Sequence, residues 1–417
     1  MKKHPTHHFL FSLLIFLIPL ASMAQFVCET ATSAKYASEE EEFNAWVLEF
    51  RDQGGHLDTS IKYIPTVVHI IMKSPEDSIA MERVLWQIEQ TNLHMRRQNA
   101  DTVNTREMFR AVAADTHIEL CLATIKPDGE EFEGVIWHFV PDKSAGEVEM
   151  YIEEQIFDTD KYLNVWVRPD IYAASATFPW MSHLPDDGIT ISHRLFGFDP
   201  LGGDPLHQEG KILTHELGHY LGLYHTFHRG EMFLGDCDFP HCDTITDRCC
   251  DTPIDWSFFP LPGDECDFAP KHCPNDSIFY TQNENYMYYN PDWCLNMFSY
   301  DQRTRMRATL NSIRANLCSA ENLIATGANC SPATIIRPPE KPQQIRIYPN
   351  PSTDAIYIDY GDLRPEQAQI TVYNLVGKAV IREDGIDRIA LNGLPSGLYL
   401  IHIRMGNVVI TEKVLIK

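Results

Sequence analysis

Apolar residues recur at helical spacing through "SAKYASEEEEFNAWVLEFRDQ", which puts Phe43, Trp46, Val47 and Phe50 on one face of an acidic helix ended by Gly54 and Gly55. The pattern then changes. "YIPTVVHIIM", Tyr63 to Met72, is rich in β-branched residues and reads as a buried strand. A helical pattern follows from about Ser78 to Gln98, and "THIELCLATI" and "YLNVWVRPDI" read as two more strands. "AASATFPW", Ala173 to Trp180, predicts a short edge strand closed by Pro179. Strands alternating with helices imply an α/β layered domain. From Gly230 to Tyr300 the chain is rich in Cys, Pro, Asp and Tyr with little periodicity, so crosslinks or ions must hold it. "YDQRTRMRATLNSIRANLC" returns to a helical pattern and closes the domain near Cys318. After a proline-rich spacer come short alternating strands with hairpin turns at Gly377-Lys378 and Gly406-Asn407, the pattern of a small all-β module.

The N-terminus departs from all of this. Lys2 and Lys3 precede an apolar run from Phe9 to Leu20, with Ser22 and Ala24 at the −3 and −1 positions of a cleavage site. That is the layout of a secretory signal peptide, too short in its apolar run to span a bilayer. A net charge of −24 argues against nucleic acid as partner, because a phosphate backbone requires clustered Lys and Arg. Export changes the meaning of the 11 cysteines: the cluster from Cys237 to Cys294 reads as a disulfide framework, and no CxxC pair points to a structural metal site. The odd count leaves at least one thiol over, and Cys28 is the candidate.

The candidate chemistry lies in "THELGHYLGLYHTF", Thr214 to Phe227. On a helix from Lys211 to Leu221, His215 and His219 stand at i and i+4 and share a face. Leu213, Leu217, Tyr220 and Leu221 form the apolar stripe on the other side, leaving the histidine face for a cleft. His225 joins them only if the helix stops, and Gly222 supplies the stop because it can adopt positive φ. Three imidazoles hold Zn²⁺ and leave a fourth position for water, the arrangement of a catalytic site. Glu216, beside the first ligand, is the general base that takes a proton from the zinc-bound water and delivers it to a leaving amine. His207, His228, His241 and His272 read as surface or turn residues.

"HELGHYLGLYH" resembles the motif of the metzincin zinc peptidases, and "NENYMYYNPDWCLNMFSYDQRTRMR" is similar to their Met-turn segment. Together with "SATFP", "DGITISHRLFG", "HTF" and "DTP", the chain resembles the pappalysin family, in particular its cytophagalysin-like bacterial branch. The resemblance implies a metzincin-like α/β (α+β) domain with a mixed sheet and an active-site helix. It makes His215, His219 and His225 the zinc ligands, Glu216 the base and Met287 the floor under the metal. Tyr289 is implied either as a stabiliser of the oxyanion or as a packed core tyrosine. "SATFP" would be the strand against which an extended substrate lies. Asp251 of "DTP" resembles one ligand of a structural Ca²⁺, and a Cys266–Cys294 disulfide is expected, with the partner of Cys273 open among Cys242, Cys249 and Cys250. "FVCETAT" resembles the start of the family's proproteins, implying that Cys28 caps the zinc of a zymogen; a disulfide with a distant cysteine is the alternative.

"YPNPS", "LPSGLYLIHI" and the final "EKVLIK" resemble the sorting domain of the type IX secretion system, here a small all-β sandwich. A carbohydrate-binding or adhesive module is the alternative, although no aromatic platform is evident in the sequence. The expected organisation is a signal peptide at 1–24, a pro-segment at 25–60, a zinc peptidase domain at 61–320, a linker at 321–343 and the sorting domain at 344–417. The helix within 25–60 reads equally as a plain surface helix of the main domain. The expected protein is a secreted or surface-located zinc endopeptidase acting on proteins or peptides and recognised by the type IX machinery, with no membrane span after signal removal. Its rivals are an adhesin with an inactive metzincin-like domain, and another zinc hydrolase such as an amidase.

Overall fold

The computed structural model describes residues 28, 30, 34–198, 203–204, 206–228, 242, 246–253, 255, 266, 270–272, 278–328, 330, 346–349, 351–360, 368–374, 379–391, 393–405 and 408–417. The expected signal peptide, Cys237, His241, Cys273 and the two expected hairpin turns lie outside them. The chain forms two compact units, Met1–Asn329 and Cys330–Lys417. No described helix is long and apolar enough to cross a membrane.

In the first unit the described elements run α1 (Ala37–Asp52), β1 (Lys62–Met72), α2 (Met81–Met95), β2 (Ala113–Ala114), β3 (Ile118–Leu122), β4 (Val135–Phe139), α3 (Ala145–Gln155), β5 (Leu163–Arg168), β6 (Ala174–Ala176), β7 (Ile189–Ser192) and α4 (Lys211–Tyr220). There follow the short strands β8 (Lys271–His272), β9 (Ile278–Phe279) and β10 (Phe298–Ser299), then α5 (Tyr300–Thr309) and α6 (Ala320–Ala325). The main sheet has the order β3-β1-β5-β7-β6, with β4 also paired to β1. All its pairings are parallel except that of β6 with β7, so the sheet is mixed and β6 is its antiparallel edge.

β1 is buried because it has helices on both faces, as parallel strands require. Ile64, Val68 and Ile70 share a core with Val84, Ile88 and Met95 of α2 and Ile212, Leu213 and Leu217 of α4. On the opposite face Ile71 packs with Trp166 and with Val148 and Ile152 of α3. His69 also points to that side, fully buried. Its ring stacks on Trp166 at 3.9 Å, Nδ1 lies 3.0 Å from His138 Nε2, and Nε2 lies 3.1 Å from Asn164 Oδ1.

This pair makes the fold acid-sensitive. Burial, then repulsion from His138, lowers His69 to about 3, and burial lowers His138 to about 4. The unfolded chain protonates both rings near pH 6.5 while the folded chain keeps them neutral, so acid favours unfolding. The thermal midpoint is expected to fall as pH drops from about 6.5 toward 4, and His69→Gln should flatten that slope, as read by circular dichroism melts.

α1 buries Phe43, Val47 and Phe50 as its periodicity predicts, against Phe178, Trp180 and Tyr224. α5 is fixed by a capping box at Ser299: the Ser299 hydroxyl accepts from the Gln302 N–H, and the Gln302 side chain accepts from the Ser299 N–H.

The second unit pairs a three-stranded sheet, β11 (Arg346–Tyr348), β12 (Ala355–Asp359) and β15 (Arg388–Ala390), with a four-stranded one. The latter comprises β13 (Ala368–Asn374), β14 (Ala379–Asp384), β16 (Gly397–Met405) and β17 (Val408–Ile416). Ile356, Ile358, Ile370, Val372, Ile401 and Ile403 fill one core between the sheets, which makes this a sandwich. The structure does show one aromatic pair not evident in the sequence: the exposed rings of Tyr348 and Tyr357 stand 6.0 Å apart on neighbouring strands.

Candidate active site

α4 ends where the sequence predicts, and the reason is visible in its backbone. Gly222 has φ +94°; its N–H donates to His219 O and the Leu223 N–H donates to Gly218 O, both at 2.9 Å. These two bonds are the Schellman termination of a helix. The chain then turns back, and the Nε2 atoms of His215, His219 and His225 meet 3.0 to 3.2 Å from one another. With Cys28 Sγ they form a group whose ligand atoms all lie within 4.8 Å, the metal-competent cluster found among the described residues.

The backbone fixes how these rings are protonated. His215 Nδ1 lies 2.7 Å from Tyr286 O and His219 Nδ1 lies 2.7 Å from Leu223 O, and a carbonyl can only accept. Both Nδ1 atoms therefore carry the proton, and the two Nε2 atoms face each other at 3.1 Å as bare lone pairs. Burial holds His215 down at about 4 and His219 and His225 well below their ordinary value, so the rings stay neutral. Neutral imidazole lone pairs converging on one point fit a divalent cation that takes nitrogen ligands, of which zinc is the usual case.

Met287 is fully buried against Gly218, the residue before His219. A side chain on Gly218 would collide with its sulfur, so the helix must present glycine there. The Met287 N–H donates to Asn285 Oδ1 at 2.9 Å, and Asn285 exchanges amide hydrogen bonds with Gln302 of α5. Thr226, next to His225, donates its N–H to Met287 O at 3.3 Å, tying the third-histidine turn to the Met287 segment. The Tyr289 ring stands 4.7 Å from that of His225 and 5.8 Å from that of His215, and its hydroxyl meets Cys28. Burial, then the neighbouring Cys28 and Glu216, pushes that hydroxyl far above its usual range.

The histidine face of α4 is not an open cleft here: every residue from Lys211 to Tyr220 is buried. The covering comes from the N-terminal segment. Cys28 forms an isolated parallel bridge with Ala174 of β6, and its thiol lies 3.9 Å from Glu216 Oε2. The Thr30 hydroxyl donates to the same oxygen at 3.1 Å. Burial raises Glu216 to about 8 in spite of these two hydrogen bonds. Burial, then the Glu216 carboxyl, pushes the Cys28 thiol well up.

Farther along that segment, α1 holds the other side of the third-histidine turn. The Tyr224 hydroxyl donates to Glu40 Oε1 at 2.6 Å, and Arg305 reaches both Asn44 Oδ1 and Gly222 O. Behind α4, Arg314 is bonded to both carboxylate oxygens of Asp187 at 2.7 Å, to Tyr220 O and to Thr177 O.

Asp251 sits at the start of α5, where its two oxygens accept from the Ser299 hydroxyl and the Asp301 N–H. Cys266 and Cys294 are disulfide-bonded. None of the three candidates bonds Cys273: Cys242 pairs with Cys250, and Cys249 is a buried free thiol. Cys28 is also free, which excludes its distant disulfide. His207, read as a surface or turn residue, is buried 3.2 Å from Asp292 Oδ1. Thr30, Arg314 and Asp187 carry no sequence signal of their own, because each acts through a partner far away in the chain.

Residues 146–311 match the peptidase family model described as pregnancy-associated plasma protein-A, and residues 346–417 match the secretion system C-terminal sorting domain. An extracellular metalloprotease of Colletotrichum graminicola is 33% identical over 164 residues, 37% of this chain and 50% of the relative. The chain thus spans about half the length of the curated relatives it matches. Mature mirolysin of Tannerella forsythia, solved with a cleaved peptide, is 28% identical with a TM-score of 0.53, covering 64% of this chain and 98% of that one. A promirolysin mutant of the same organism is 27% identical with a TM-score of 0.54, covering 66% and 91%. Residues 146–311 of the first unit thus resemble a pappalysin-type metallopeptidase, the solved structures it is similar to are metallopeptidases of the mirolysin kind, and residues 346–417 resemble a secretion sorting domain.

Proposed function

We propose that this chain is a secreted zinc endopeptidase, exported by the signal at 1–24 and the type IX route and made as a zymogen. The reading is carried by one observation: three neutral imidazoles converge on one point with the Glu216 carboxyl beside it. His215, His219 and His225 would hold zinc, which when bound supplies the Lewis acidity that brings water's pKa to about 7. Glu216 is buried, and burial raises its proton affinity. It takes the proton from the attacking water and returns it to the leaving amine. The Tyr289 hydroxyl stabilises the developing oxyanion. Met287 and the carbonyls of Tyr286 and Leu223 keep the imidazoles oriented. The edge of β6 receives an extended peptide by strand addition. In the precursor Cys28, within reach of all three histidines, would be a further ligand and would keep water from the site.

The full-length protein, activated by limited proteolysis, should cleave casein or gelatin. Treatment with a zinc chelator should abolish that activity and added zinc restore it. An activated protein that holds zinc and cuts nothing would favour the adhesin reading instead. Cys28→Ala should make the precursor prematurely active, as followed by its self-processing on gels.

A further inference from the structure

Glu216 has its hydrogen bonds only on one side. Oε2 accepts from the Thr30 hydroxyl and faces the Cys28 thiol, while Oε1 is buried with no hydrogen-bond partner among the described residues. The Thr30 hydroxyl serves both neighbours: it donates to Glu216 at 3.1 Å and accepts the Ala176 N–H of β6 at 2.9 Å. A hydroxyl is the smallest side-chain group that can satisfy a carboxylate and an amide N–H with one atom. Cys28 bridges Ala174, two residues back on the same edge, so Cys28 and Thr30 meet β6 at positions the same two residues apart.

We infer that Thr30 is a second lock of the latent form: its hydroxyl sits on Glu216 where the attacking water must stand, and it occupies the β6 amide that a substrate carbonyl needs. The inference rests on the zymogen reading and adds to it that the general base, and not only the metal, is occupied. Cys28 and Thr30 therefore act as a pair. The thiol is held over the histidines because the hydroxyl two residues on fixes the segment to both Glu216 and β6. Losing the hydroxyl leaves a buried carboxyl with the thiol as its one remaining hydrogen-bond partner among the described residues, and the segment should lift more often.

The test uses the full-length precursor as wild type, Thr30→Val, Thr30→Ser and Cys28→Ala, each checked by its melting curve. The first readout needs no activity: the rate at which iodoacetamide alkylates Cys28 in chelator-treated precursor, followed by peptide mass spectrometry. The second is the rate of self-processing in the presence of zinc. Leaving a buried hydrogen-bonding group without its partner costs about tenfold or more. Thr30→Val should raise both rates by about that factor, and Thr30→Ser, which keeps both hydrogen bonds, should behave as wild type. Equal acceleration by Val and Ser would show that the effect does not follow the hydroxyl, which Ser keeps, and would overturn the inference. So would wild-type rates in Thr30→Val when Cys28→Ala is prematurely active, a result that leaves the zymogen reading standing. A Cys28→Ala precursor as latent as wild type would instead remove the zymogen reading, and this inference with it.

Discussion

Glu216→Ala is expected to lower kcat/KM of the activated protein on casein by about 10²- to 10⁴-fold, the usual loss for a general base, with bound zinc unchanged at about one per chain. The two halves of that result come from different atoms. His215 and His219 keep their own supports, the carbonyls of Tyr286 and Leu223, neither of which involves the glutamate. The carboxyl is the residue's one functional group in the site, and helix α4 tolerates alanine at that position. Metal analysis and steady-state kinetics on the same preparation decide the matter. Unchanged kinetics would remove Glu216 from the chemistry, and loss of zinc would make it a structural support of the site.

The largest effect on stability should come from Asp187, behind the site. Arg314 is fully buried, with both carboxylate oxygens of Asp187 as its ionic partner, and its guanidinium stands 3.6 Å over the Tyr220 ring. Asp187→Ala leaves a buried, uncompensated cation and should cost about 3–5 kcal/mol, read as a shift of the urea midpoint. Replacing both residues, Asp187→Ala with Arg314→Met, should recover part of the loss because the desolvated charge is gone. The single variant should also weaken zinc binding. Arg314 bonds the last carbonyl of α4 and the Thr177 carbonyl beside β6, so it couples the helix carrying two histidines to the strand beside them.

What could be read in the sequence was local. His215 and His219 share a face because four residues make about one helical turn, and Gly222 marks the stop because only its backbone accepts φ +94° without strain. The buried strands were legible from their β-branched runs, and α1 from the spacing of Phe43, Val47 and Phe50. What escaped was the covering of the site. Thr30 reaches Glu216 across 186 residues and Asp187 reaches Arg314 across 127, and no periodicity records such pairs. The disulfides show the same division. Cys266–Cys294 came with the family resemblance, whereas Cys242–Cys250 closes a stretch whose sequence has little periodicity, where spacing carries no geometric constraint.

The turn at Gly222 also makes the length of the motif non-negotiable. Its two hydrogen bonds count back from a single glycine to Gly218 and His219, so the stop and the second imidazole are gauged from the same point. One residue more between His219 and Gly222 would add about 100° of helical rotation before the chain reverses. The last ring would then face away from the other two, with every residue type of the motif still present. In this segment a point substitution can be gentle or harsh, but an insertion or deletion removes the site outright.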